Sequence, residues 1–128
     1  MSIRDQILSS VDVQSEIVHI PEWGVDIEVR GMAAAERIAM YDAIATAQQS
    51  GKAAAQVAVM WPTLVIGCSF DPESGEQVFT ADDWTALAQK SGAAVDRIAT
   101  TAMRLSGISE GSEDALGEDS SGNLNDAS

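Results

Sequence analysis

The sequence predicts an α+β fold that is mainly α, in which an N-terminal β-hairpin packs on a bundle of about four helices. One segment near the N-terminus alternates apolar and charged residues with the period of a strand. Several alanine-rich segments carry apolar residues at helical spacing, and turn-forming stretches separate them. The chain has 128 residues, which suits one domain. We therefore predict a single folded domain over residues 1–106 and a disordered acidic tail over residues 107–128.

The hairpin is predicted from residues 16–30. Apolar and charged side chains alternate from Val25 to Arg30, as in a strand with one face in water. Val18 and Ile20 give the preceding strand its buried face. Residues 21–24 read Pro-Glu-Trp-Gly, in which proline fixes φ and glycine accepts a positive φ. They therefore predict a four-residue connection between the two strands.

A short helix is predicted before the hairpin and a long one after it. The first has a capping pair, Ser2 and Asp5, and places three apolar residues on one face: Ile3, Ile7 and Leu8. Because so short a helix does not persist alone, we expect it to dock on the body. The second covers residues 32–49 and ends at Ser50-Gly51. Its inner stripe is expected to hold Ala34, Ile38, Tyr41, Ile44 or Ala45, and Gln48.

Residues 53–67 predict another long helix, which is apolar nearly all round. Such a helix is buried on most sides or lies in a self-association surface. Pro62 lacks a backbone donor and should kink this helix or divide it near Trp61. Residues 69–79 then predict a loop or small hairpin, and two further helices separated by Ser91-Gly92 follow it.

The composition argues against several classes of function. The formal charge is −13, from 7 Lys and Arg against 20 Asp and Glu, and this field repels phosphate groups. We therefore expect no binding to nucleic acid. Residues 1–10 lack the apolar core of a signal peptide, and polar residues and a proline interrupt the apolar stretch over residues 53–70. No association with a membrane is expected either.

No catalytic, cofactor or metal site is predicted. His19, the one histidine, lies on the wet face of its strand and is expected to pair with an acid such as Asp26 or Glu28. Cys68, the one cysteine, follows an apolar helix with no histidine nearby, as expected for an inert thiol. The acids of residues 71–76 lack the spacing of a calcium loop, and no glycine-rich phosphate loop occurs. The chain is therefore predicted not to be an enzyme.

Protein binding is the remaining class of function, and five residues are candidate contacts: Trp23, Val57, Val59, Met60 and Trp61. Trp23 lies at the predicted hairpin tip, where it can anchor a partner or fold back over the hairpin. The other four belong to the apolar helix, which carries more apolar surface than a small core needs. Placement in the core is the alternative for these residues.

Three segments together carry a resemblance to a known family. They are the hairpin Ile20-Pro-Glu-Trp-Gly24, the helix opening Gly31-Met-Ala-Ala-Ala-Glu-Arg37, and the turn from Asp71 to Asp83. In this order they resemble the tail assembly chaperones of long-tailed bacteriophages, over residues 1–106. The resemblance implies a non-enzymatic protein that binds the tape measure protein and keeps it soluble until the tail tube polymerises.

The resemblance also implies a place and a set of partners. The protein would act in the host cell cytoplasm and be absent from the mature virion. A longer frameshifted form of the chain and the tail tube protein are further implied partners, and a homo-oligomer stays open. Two alternatives remain: a structural head–tail joining or minor tail protein, and an acidic regulatory module that binds proteins, which the charge of −13 suggests.

Overall fold

The computed structural model describes residues 2–51 and 54–108. In this part of the chain the elements are α1 (Ile3–Ser9), β1 (Ser15–Ile20), β2 (Val25–Arg30), α2 (Ala34–Gln49), α3 (Ala55–Cys68), β3 (Ser69–Phe70), α4 (Trp84–Leu87) and α5 (Gly92–Leu105). A 3₁₀ turn, Ala81–Asp83, leads into α4. The predicted architecture, a hairpin packed on a helical bundle, is confirmed.

The sheet has three antiparallel strands in the order β1-β2-β3. Strands β1 and β2 pair from Ser15 opposite Arg30 to Ile20 opposite Val25, which is the predicted hairpin. Its turn closes as expected, because Gly24 has a φ of +66° and its N–H donates to the Ile20 carbonyl at 2.8 Å. Strand β3 has two residues, and Phe70 also pairs with Gln77, so the predicted loop or small hairpin is a small hairpin.

The core lies between the sheet and the helices. Helices α3 and α5 pack on the hairpin and on each other, and α2 packs against α3. The buried members of the core are Ile20, Ile27, Val29, Met40, Ile44, Met60, Leu64, Val65, Cys68, Leu87, Ala94, Val95, Ile98, Ala99, Ala102, Met103 and Ile108. Most of α5's apolar residues face inward, so this last helix completes the core that the hairpin begins.

The face that α2 turns to the core matches the prediction in part. Ile44 is buried and Tyr41 is partly buried, as expected, whereas Ile38 is exposed and Met40 is buried in addition. Arg37 is half-buried because its guanidinium donates to the Ser106 carbonyl at 3.2 Å and to the Tyr41 hydroxyl at 3.1 Å. Because α2 is rich in alanine, its neighbouring faces differ little in hydrophobicity. The contacts of Arg37 are consistent with the face that is buried.

One alternative for α3 and the expected docking of α1 are wrong. Pro62 is predicted to kink α3 or divide it near Trp61. The division does not occur, because the helix runs through Pro62 from Ala55 to Cys68. Proline there removes one backbone donor, and the helix is held by its buried residues on both sides of it. Helix α1 does not dock on the body, since every one of its residues is exposed.

The end of α5 is joined closely to the segment between β2 and α2. The Met32 N–H donates to the Ser106 hydroxyl at 2.8 Å, and Gly31 lies against the Leu105 and Ser106 backbone. Ile108 is only 1% exposed and belongs to the core. The folded body therefore reaches past residue 106, the predicted boundary, and the rest of the predicted tail lies outside the described residues.

Candidate protein-binding surfaces

The lone histidine forms the cross-strand pair that its position predicts. His19 lies opposite Asp26 in the hairpin register, and its Nδ1 is 2.7 Å from Asp26 Oδ1. Both side chains are more than half exposed to water. No third titratable group completes a catalytic arrangement around this pair among the described hydrogen bonds, so the geometry is that of a solvated strand pair.

The lone cysteine is chemically quiet. Cys68 is buried at the end of α3, and burial, with a smaller contribution from the charge of Glu36, raises the pKa of its thiol to about 12. The thiol is therefore protonated at neutral pH. Because the thiolate is the nucleophile, this environment does not activate Cys68 for catalysis.

The acidic loop after β3 uses its first carboxylate to shape its own turn. Asp71 Oδ1 accepts from the backbone N–H groups of Glu73 at 2.8 Å and Ser74 at 3.2 Å. Across residues 2–51 and 54–108, no three His, Cys, Asp or Glu side chains come together as metal ligands. In the same ranges, no helix is long and apolar enough to cross a membrane.

The structure separates the five predicted protein-binding residues instead of gathering them. Met60 is buried, and Val59, Trp61 and Trp23 are partly buried and packed against the core. Trp61 also donates from its indole Nε1 to Asp96 on α5 at 2.9 Å, which fixes its ring between two helices. Val57 is the exposed member of the set. The proposed role of these residues in binding stays a prediction.

The largest run of exposed apolar side chains lies elsewhere, in a segment we call the N-terminal arm, residues 3–17. Its exposed apolar residues are Ile3, Ile7, Leu8, Val11, Val13 and Ile17, each between 45% and 97% exposed. Exposed apolar surface of this extent is typical of a site that binds another protein.

The arm is organised at its N-terminal end. Ser2 caps α1 by accepting from the Asp5 N–H at 3.1 Å, and three apolar side chains then share one side of the helix: Ile3, Ile7 and Leu8. The spacing of these three residues is the sequence signal for this surface. It predicts a face that docks on the body, and the body does not cover it.

Polar contacts join α5 to the hairpin and to the β1 end of the arm. Arg97 donates from Nε and an Nη to the two carboxylate oxygens of Glu22, each at 3.3 Å. This hydrogen bonding lowers the pKa of the Glu22 carboxyl. Two turns further along α5, Arg104 donates to Glu16 at 2.7 Å. The described residues thus combine a tied body with an apolar arm, as in a protein that binds other proteins.

Comparison with known proteins agrees with this class. A family model described as phage tail assembly chaperone matches residues 2–118. The chain belongs to the phage tail assembly chaperone family, as its sequence motifs suggested. Among curated proteins no match is found. Among solved structures, the tail assembly chaperone of bacteriophage HK97 has a TM-score of 0.56 at 17% identity, over 80% of this chain and 91% of that chain. That likeness shows a shared fold.

Proposed function

We propose that this chain is a non-enzymatic chaperone that binds the tape measure protein and keeps it soluble until the tail tube polymerises. One observation carries the proposal: the N-terminal arm presents six apolar side chains to water beside a body that has its own buried core. A helix of seven residues gains little stability by itself, so an apolar partner that covers α1 would stabilise it. Family membership supplies the tail assembly context.

The charge of the chain suits this role. A net charge of −13 would keep a complex with an apolar client dispersed, because like-charged complexes repel one another. The chaperone would act in the host cytoplasm and leave before the virion is complete. A longer frameshifted form of the chain and the tail tube protein are further partners in this proposal.

Co-expression with the tape measure protein of the same genome tests the proposal. The wild-type chain should co-purify with that protein and raise its soluble fraction. A triple variant, Ile3→Ser with Ile7→Ser and Leu8→Ser, should lose most of this effect, since these side chains lie outside the core. Ile38→Ser, which removes an exposed isoleucine from α2, is the matched control and should behave as wild type.

Two results would contradict the proposal. One is a tape measure protein whose solubility and co-purification do not depend on the chain at all. The other is the chain at fixed stoichiometry in purified virions, measured by mass spectrometry, which would favour a structural head–tail joining or minor tail protein. Equal behaviour of the arm variant and the wild type would place the client site away from the arm.

A further inference from the structure

A second apolar surface lies at the tip of the hairpin, between the turn that joins β1 to β2 and the loop after β3. It is a cleft of about 540 Å³, lined by Trp23, Val25, Asp26, Ile27, Asp71, Pro72, Glu73, Val78 and Phe79. We call it the tip cleft. It shares no residue with the N-terminal arm, so the two surfaces can be tested separately.

The walls of the tip cleft are set by the backbone. The pairing of Glu28 with Phe70 places the loop after β3 beside the hairpin tip. The Val78 N–H donates to the Ser69 carbonyl at 3.0 Å, which fixes the returning side of that loop. Asp71 closes the loop from inside by accepting from the Glu73 and Ser74 N–H groups. The cleft is therefore a feature of the folded sheet, present before any partner arrives.

Apolar side chains in the cleft are open to water. Val25, predicted to face the core, is 45% exposed, and Val78 is 42% exposed. Trp23, Pro72 and Phe79 supply the other apolar surface of the lining. A cleft with this lining accepts an apolar side chain, because its burial removes apolar area from water on both partners.

The charged side chains in the cleft lining are all acidic. They are Asp71, Glu73 and Asp26, of which Asp26 is paired with His19 at 2.7 Å, and the lining contains no Lys or Arg. Glu73 makes no ion pair within the described residues. Arg30, at the other end of β2 from Val25, is already engaged by Glu28 at 3.3 Å and lies 4.0 Å over the Phe70 ring. An entering segment therefore meets the carboxylates of Asp71 and Glu73, which have no ion pair within the described residues, beside the apolar lining.

We propose that the tip cleft binds a segment of a partner protein in which apolar side chains are flanked by lysine or arginine. The apolar side chain fills the cleft, and the basic residues lie beside Asp71 and Glu73. This goes beyond the proposed chaperone role, since it assigns a second contact surface and the chemistry of the segment that occupies it. It holds whether or not the arm binds the tape measure protein.

Titration of the isotope-labelled full-length chain with synthetic peptides tests the inference. The probe is a peptide of about ten residues with two leucines flanked by lysines. One reference peptide replaces the lysines with glutamate, and the other replaces the leucines with serine. The leucine–lysine peptide should bind saturably and shift the Trp23 indole signal and the amides of residues 71–79. The Trp61 indole, held by Asp96, should not move. Both reference peptides should bind at least threefold more weakly.

Variants of the chain complete the test. Val78→Ser and Glu73→Gln should each weaken binding about threefold to fivefold, because each removes one surface contact. Matched controls on α2, Ile38→Ser and Asp42→Asn, should bind as the wild type does.

Absence of saturable binding would overturn the inference. Equal binding of the serine peptide, or of the cleft variants, would overturn it as well, since the contact would then be electrostatic attraction to the chain as a whole. Shifts confined to residues 3–17 would do the same by placing the peptide on the arm.

Discussion

Gly31, in the helix-opening motif, lies where two backbones meet. A Cβ at this position would be 2.6 Å from the Leu105 carbonyl oxygen and 2.9 Å from its carbon. Neither backbone can move aside easily, because the Met32 N–H is bound to Ser106 at 2.8 Å and the Gly31 N–H to the Gln14 carbonyl at 2.8 Å. The perturbation we consider is therefore Gly31→Ala, the smallest change that brings a side chain into this contact.

The size of the effect follows from two opposing contributions. Overpacking of one methyl group against fixed atoms costs about 1–3 kcal/mol. Replacing glycine by alanine also stabilises the protein by about 0.4–1 kcal/mol, because it reduces the conformational entropy of the unfolded chain. We therefore expect Gly31→Ala to lower the free energy of unfolding by about 1–2 kcal/mol. Urea unfolding followed by far-ultraviolet circular dichroism and by tryptophan fluorescence measures this difference.

Gly67→Ala provides the control for this experiment. Gly67 lies inside α3, and nothing stands within 4 Å of the Cβ position. Alanine should therefore raise the free energy of unfolding by up to about 1 kcal/mol. If Gly31→Ala stayed within about 0.5 kcal/mol of the wild type, the close approach of Gly31 to α5 would not be a constraint on the fold.

Three further predictions concern single side chains. Because burial raises the pKa of the Cys68 thiol, Cys68 should react with a thiol reagent far more slowly at neutral pH than it does after unfolding; comparable rates would contradict its burial. Because Arg97 lowers the pKa of Glu22, their pair stabilises the fold above the unfolded value of 4.5 and loses that effect as pH falls through the lower folded pKa. Arg97→Gln should therefore be less stable than the wild type at neutral pH, and the difference should shrink below pH 4.5; a difference independent of pH would refute the assignment. Ile108→Ala should lower the free energy of unfolding by about 2–4 kcal/mol, whereas Thr100→Ala, on the exposed side of α5, should change it little.

The hairpin was predictable because local residues determine it. Alternation with period two specifies which side chains face inward, and Pro-Glu-Trp-Gly specifies a turn of fixed length, so the register follows. The pairing of His19 with Asp26 comes with that register. Val25 departs from the pattern since it lies at the tip, beyond the helices that cover Ile27 and Val29.

The helical surfaces were less predictable because they depend on distant contacts. The face that α2 buries depends on its packing against α3, and the bond of Arg37 to Ser106, which lies 69 residues further along the chain, agrees with that orientation. Helix α1 is exposed because no part of the described body packs against it, and the local sequence of α1 carries no information about that. The tip cleft forms where residues near 25 and near 75 meet, so its lining is not visible in either segment alone.

The ion pairs between the hairpin and α5 have a consequence for the order in which the protein folds during synthesis. Glu22 and Arg97 are 75 residues apart, and Glu16 and Arg104 are 88 apart. The hairpin is made early, but the helix that covers its inner face is made last of all the described elements. Contacts so distant in sequence form slowly, because a long loop must close first. In a nascent chain that ends before residue 92, Ile20 and Val29 therefore lack the cover that α5 provides. The body can complete its fold only after this final helix has been synthesised.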